Sequence, residues 1–212
     1  YEIYLRNATL YADDMWDAVL EAGKKHNLMV IAPAHHRRIQ AGILSWGQDL
    51  DHEHNPFQCN LGYQVSLSGK GEWAKKGDYI GKQALEKMKA DLKDGHKPYK
   101  LQLVGFEIGG KPIDEYAPDF WLVSPGDGGD PCGFITSPWY HPEKGKNIAM
   151  GYIPFDGTLN PNGFPKWELG KKFKVHLPDI YADEPGVPVD AVTVDVPFTE
   201  SFNANTREVV KG

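Results

Sequence analysis

The sequence predicts an α+β fold. An α/β segment over residues 1–96 is followed by a small all-β, barrel-like domain over 97–199 and a tail over 200–212. Three observations predict it. Apolar residues recur at helical spacing over 12–25, 34–45 and 80–92. Beyond Lys100 the pattern changes to short β-rich runs separated by Gly and Pro, the spacing of a small barrel or sandwich. Between the two regimes lies Asp94-Gly95-His96-Lys97-Pro98, a helix-stopping run that makes the best boundary in the chain.

The first element is a strand. Tyr1, Ile3 and Leu5 alternate with Glu2, Tyr4 and Arg6, so Glu2 and Tyr4 project to one side. A carboxylate beside a phenol can read a ligand, although an edge strand with a wet polar face has the same spacing. From Ala12 to about Lys25 a helix follows, with Met15, Trp16, Val19 and Leu20 facing the strand and Asp13 and Asp14 near its positive end. Leu28 to Pro33 is a short apolar strand or approach segment, and Pro33 opens a helix from Ala34 to Ser45 with Ile39, Ile43 and Leu44 as its buried stripe. The polar stretch from Gly47 to Cys59 is a loop, Leu61 to Leu67 returns as a strand, and 68–78 is an exposed connection. A helix over 80–92 buries Leu85, Met88 and Leu92. The β-runs are 101–108, 120–124, 133–136, 147–153, 173–177 and 191–196.

Composition narrows the function. The chain of 212 residues is 41% hydrophobic and 25% charged, and no apolar run approaches the ~20 residues that cross a bilayer. A net charge of −6 argues against nucleic acid as a partner. Cys59 and Cys132 are far apart and outside any metal or redox spacing, which fits a reducing cytoplasm. His52-Glu53-His54 offers at most two imidazoles from one loop, and His35 and His36 diverge by about 100° on a helix. No metal is expected. Gly126-Asp-Gly-Gly-Asp130 lacks the ending of a phosphate-binding loop and reads as a hairpin turn. Trp46 and Tyr63 border the polar loop, where flat rings suit either a heterocyclic ligand or the rim of a core.

Taken in order, several segments resemble the C-terminal portion of the glycine-cleavage T-protein family, the tetrahydrofolate-dependent aminomethyltransferases and their demethylase relatives. They are Tyr1-Glu-Ile, Arg38-Ile-Gln-Ala-Gly-Ile-Leu, Gly47-Gln-Asp-Leu-Asp, Asn55-Pro-Phe-Gln-Cys, Asp78-Tyr-Ile-Gly-Lys, Ile135-Thr-Ser-Pro and Lys146-Asn-Ile-Ala-Met-Gly-Tyr-Ile. The opening segment and Asn-Pro-Phe look closer to the folate-dependent demethylases, either the vanillate-type aryl O-demethylases or dimethylsulfoniopropionate demethylase. The resemblance implies that the 1–96 segment is folate-binding. It also implies that a methyl group moves from a methoxy-aromatic or methylsulfonium donor to tetrahydrofolate, with no metal or corrinoid.

By the same resemblance Glu2 holds the pterin ring, Tyr4 shares its face, Tyr63 supplies a folate-contacting ring where the T-protein has tryptophan, and Trp46 takes a substrate-side position where the family has tyrosine. Three departures stand out. Ala34 replaces a folate-contacting arginine, Trp46 has no phenolic proton, and Gln58 replaces a common glutamate. The family's N-terminal half, with its main catalytic groups, is implied to lie upstream. The expectation is that this chain alone is inactive and that the absent half is its partner, whether the chain is a proteolytic product, a partial chain or one piece of a split protein.

Overall fold

The computed structural model describes residues 2–65, 67 and 77–198. Tyr1, most of the predicted connection over 68–78 and the predicted tail lie outside the described residues. Contacts divide the chain into two compact units, Tyr1–Ala34 and His35–Gly212.

The first unit contains one helix, α1, over Ala8–Gly23, extended by a 3-10 turn over Lys24–His26. It starts one turn earlier than its apolar spacing predicts, after Asn7 in the left-handed conformation. Asp13 and Asp14 therefore fall beyond the first turn and lose most of their benefit from the helix dipole. Residues 2–5 form no strand, a correction to the sequence reading. Alternation gives a strand two faces, but a strand also needs a neighbour for its N–H and C=O groups, and no ladder includes these residues. For the same reason Leu28 to Ile31 is not a strand, and these residues are exposed. The apolar stripe of α1 is correspondingly unburied, with Leu10, Trp16 and Val19 all exposed.

The second unit is built on a closed six-stranded antiparallel barrel. Its strands are β1 Leu101–Ile108, β2 Trp121–Pro125, β3 Gly133–His141, β4 Lys146–Pro154, β5 Lys172–Val175 and β6 Val189–Val194, in the order β1-β4-β3-β2-β5-β6. All six predicted β-runs are present. Pairing of β6 with β1 closes the ring and leaves no free edge. Inside, Val104, Phe106, Ile108, Val123, Ile135, Phe173 and Val175 form the core. Each such fully buried side chain contributes about 1.5–3 kcal/mol over its exposed state.

Strands β1 and β4 read as nearly continuous apolar runs because both of their faces are covered. On the outer face Leu103, Ile148, Met150 and Tyr152 meet Ile39 and Phe198. Ile39 belongs to α2, a helix over His35–Gln40 that ends five residues short of the prediction. Gly42 stops it in the left-handed conformation (φ 67°). The Gly42 N–H then bonds Ile39 O at 2.9 Å and the Ile43 N–H bonds Arg38 O at 2.8 Å, which together form a Schellman cap. Ile43 is consequently exposed rather than part of the buried stripe.

The third helix, α3 Lys82–Lys93, sits as predicted and packs Leu85, Met88 and Leu92 on Phe57 and Phe155. Gly95 ends it with the same capping pattern. Strand β3 runs five residues past its predicted end. Pro138 is tolerated there because β3 pairs with β2 only over 133–135, so at residue 138 just one side has a strand partner. The Gly126–Asp130 run lies in the β2–β3 hairpin connection, where Gly128 N–H bonds Pro125 O at 3.0 Å.

Candidate functional site

In the first unit, Tyr4 donates its phenolic hydrogen bond to the Glu2 carboxylate. Both side chains are exposed, Tyr4 at 87%, and the bond to Glu2 holds the phenol above its ordinary pKa. The two groups meet as the alternation predicts, without the strand.

In the second unit the densest polar cluster is one to which the sequence reading assigned no role. Arg38 on α2 donates to Asp49 Oδ2 (2.8 Å), Gln48 Oε1 (2.9 Å), Ser137 Oγ (2.8 Å) and the Ile43 carbonyl (3.2 Å). The Asp49 side chain is fully buried. It accepts from Arg38, the Ser45 N–H (2.8 Å), Thr136 Oγ1 (2.5 Å) and Ser137 Oγ (2.6 Å). Four donors, one of them the Arg38 cation, offset the desolvation of a buried carboxylate. Gln48 donates to the Thr136 carbonyl at 2.8 Å, and Tyr152 donates to the Asp49 carbonyl at 2.6 Å.

Consecutive strand residues normally face opposite ways, yet the hydroxyls of Thr136 and Ser137 both reach Asp49. A register shift between Ile135 and Ser137 explains it, because the extra residue of a bulge turns both side chains to one face. Four of the quoted motifs, beginning at Arg38, Gly47, Ile135 and Lys146, thereby meet in one network.

That network fixes the turn carrying Trp46. Trp46 and Leu50 form a bridge, the Gly47 N–H bonds the Leu50 carbonyl at 2.8 Å, and the Trp46 ring is 62% exposed with its edge against His52, centroids 4.8 Å apart. Next along, Asp51 accepts from the Glu53 N–H (2.8 Å) and contacts His54 Nδ1 (2.7 Å), and these contacts lower its carboxyl pKa.

Tyr63 lies on a 3-10 turn, Gly62–Gln64, not on the strand predicted over 61–67. The turn is enforced by packing, because a Cβ on Gly62 would lie 2.8 Å from both the Phe57 and Phe164 rings. Tyr63 is 72% exposed and lines a cleft of about 320 Å³ with Leu44, Cys59, Asn60, Leu61 and Trp167. A smaller cleft of about 170 Å³ shares Asn60, Tyr63 and Trp167 and adds Phe164. The polar groups lining the larger cleft are already engaged: Asn60 donates to Leu103 O (2.8 Å), Trp167 to Val194 O (3.0 Å), and Cys59 Sγ lies 3.4 Å from the Tyr152 hydroxyl. Burial raises the Cys59 and Tyr152 pKa values, so both stay neutral. The wall suits an uncharged, flat group. Trp46 lines neither cleft, so the two predicted rings of this unit do not share one.

Among the described residues no group of three or more His, Cys, Asp or Glu side chains could hold a metal ion. Nor is any helix long and apolar enough to cross a membrane. Cys59 and Cys132 are free thiols. The missed residues were legible in part, since Arg38, Gln48 and Asp49 are polar side chains within apolar-flanked segments, but nothing in their spacing announced that they would meet Thr136 and Ser137 across nearly a hundred positions.

A family model described as the GCVT N-terminal domain matches residues 1–69. An aminomethyltransferase of Symbiobacterium thermophilum is 31% identical over 73% of this chain and 36% of its own length. The dimethylsulfoniopropionate demethylase of Ruegeria pomeroyi is 29% identical over 84% of this chain and 42% of its own. The crystal structure of the glycine cleavage system aminomethyltransferase T from Bartonella henselae matches with a TM-score of 0.53 and 20% identity over 77% of this chain and 37% of that one, a likeness of fold. The chain thus spans well under half the length of these relatives.

Proposed function

This chain is a relative of the glycine-cleavage T-protein family, resembling its C-terminal portion, and from that kinship we propose that it is part of a tetrahydrofolate-dependent methyltransferase. The observation that supports the reading best is the convergence of Arg38, Gln48, Asp49, Thr136 and Ser137. Motifs that are separate in sequence act as one support for the Trp46 turn. In this proposal the residues up to 96 bind folate, and the barrel from 97 onward braces the Trp46 turn.

Glu2 accepts hydrogen bonds from two adjacent N–H groups of the pterin, with Tyr4 alongside and already bonded to it. Tyr63 offers its exposed face to the cofactor, and Trp46 offers its own to the methyl donor. Methyl transfer to the folate N5 is an in-line displacement, so placement is the protein's main task. The carbon–heteroatom bond of the donor breaks as the N5–methyl bond forms, and the N5 proton leaves to water, or in the aryl-ether case to the departing phenolate. A sulfonium departs as a neutral thioether and needs no acid, whereas an aryl ether departs as a phenolate and does. An indole in place of a phenol at position 46 favours a methylsulfonium donor, because its face attracts cations and it has no exchangeable acid proton.

Aminomethyl transfer is the second reading, favoured by the names of several relatives. Ala34, at the position of the T-protein's folate-contacting arginine, speaks against it. The full-length protein supplied with tetrahydrofolate and either a methylsulfonium or a methoxy-aromatic donor is expected to form 5-methyltetrahydrofolate. Tetrahydrofolate retained without product from any donor would instead identify a folate-binding relative that has lost the chemistry.

A further inference from the structure

His35 opens α2 with its ring against two aromatic side chains, 4.7 Å from Tyr116 and 6.2 Å from Trp139 between centroids, the latter nearly parallel at 15°. Its Nδ1 faces Arg38 Nε at 3.3 Å. A guanidinium has only donors, so Nδ1 must be the acceptor and must be unprotonated. In a neutral imidazole the proton then sits on Nε2. Partial burial and the neighbouring Arg38 charge both lower the His35 pKa, which keeps the ring neutral. Among the described residues Nε2–H has no hydrogen-bond partner, although Arg38, which fixes it, is engaged on every side.

We propose that His35 is a fixed-tautomer hydrogen-bond donor that binds an anionic oxygen, a carboxylate or phenolate, on a flat small molecule resting against Tyr116 and Trp139. Three features define that chemistry. The donor is single and directional, its ring is held by aromatic contacts on the Tyr116 and Trp139 sides, and Arg38 supplies positive charge behind it without being available for direct contact. Half-exposed Tyr116 and partly buried Trp139 leave ring surface for a planar ligand. His36 lies 6.2 Å from the same Trp139 ring and extends the platform. The network that holds the Trp46 turn therefore also orients His35, through Arg38. The inference stands on this geometry and does not require the folate reading.

The test is a pair of amide substitutions in the full-length protein, with benzoate as the probe and neutral benzamide as its control. His35→Asn retains an oxygen near the Nδ1 position for Arg38 but removes the distal donor, whereas His35→Gln carries an N–H toward the Nε2 position. Nitrogen-15 spectra should show the Nε2–H tautomer in the unsubstituted protein and a shift of that resonance with benzoate but not benzamide. His35→Asn should weaken benzoate about tenfold or more, and His35→Gln by no more than about threefold, at unchanged melting temperature. An Nδ1–H tautomer, or benzoate binding equally well to all three proteins, would overturn the proposal. Tetrahydrofolate affinity, measured on the same samples, tests the folate reading separately.

Discussion

Asp49 is the residue on which the second unit is most exposed to a single change. It is a carboxylate without solvent contact, and among the described residues its one cation is Arg38. Breaking a buried pair by removing one partner costs about 3–5 kcal/mol, because the remaining charge stays desolvated. Asp49→Ala should lower the urea midpoint by that measure, and Arg38→Lys by less, since Lys keeps the charge but loses the fork that reaches Asp49, Gln48 and Ser137 together. His141 gives a second prediction, in pH. It is buried at the end of β3, its Nε2 has no partner among the described residues, its Nδ1 accepts weakly from the Lys144 N–H at 3.4 Å, and burial lowers its pKa. Below the unfolded value of about 6.5 the unfolded chain takes up a proton that the folded chain refuses. Stability should therefore fall as pH drops through about 6.5 and level off below the depressed folded value. His141→Leu should flatten the urea midpoint between pH 7 and 5 relative to the unsubstituted protein, and an unchanged slope would assign the acid sensitivity elsewhere.

The elements differ in how far their sequences determine them. Gly133 shows how tightly β3 and β4 are joined: a Cβ there would lie 2.0 Å from the Tyr152 carbonyl oxygen, which is backbone and cannot swing aside. Gly133→Ala should cost about 1–3 kcal/mol or more in denaturant unfolding, and a neutral result would mean that the strands part easily enough to admit a methyl group. All six barrel strands could be read from sequence because each supplies its own alternation or apolar run and each finds a neighbour in the closed ring. Residues 2–5 and Leu28 to Ile31 have the same local signature, but among the described residues no partner strand satisfies their backbone groups. Pattern states what a segment is able to do, and pairing decides whether it does so. At Gly42 the apolar spacing suggested a longer helix, while the capping geometry of a single glycine ended it. Tyr63 illustrates the third case, where tertiary packing of Phe57 and Phe164 on Gly62 selects a turn that local propensity does not favour.

At the scale of the molecule, the motifs that made the chain recognisable fall into two classes. Arg38, Gln48, Asp49, Thr136 and Ser137 are a scaffold, legible as conspicuous polar residues but not as partners, because contact between positions 49 and 137 depends on the barrel and on one bulge. Glu2, Tyr4, Trp46 and Tyr63 are exposed groups, to which the proposal assigns ligand binding. Glu2 and Tyr4 were legible as a pair from alternation alone, since two residues apart is enough to bring a phenol to a carboxylate. The separation of Trp46 from the Tyr63 clefts was not legible, because it depends on which distant residues, Trp167 and Phe164 among them, pack beside Tyr63. The central claim is that the Glu2 carboxylate grips a reduced pterin, and calorimetric titration of the full-length protein with tetrahydrofolate tests it most directly. Glu2→Gln preserves size and one acceptor but removes the charge, so affinity should fall about tenfold or more. An unchanged dissociation constant in Glu2→Gln, with folate still bound, would contradict the account.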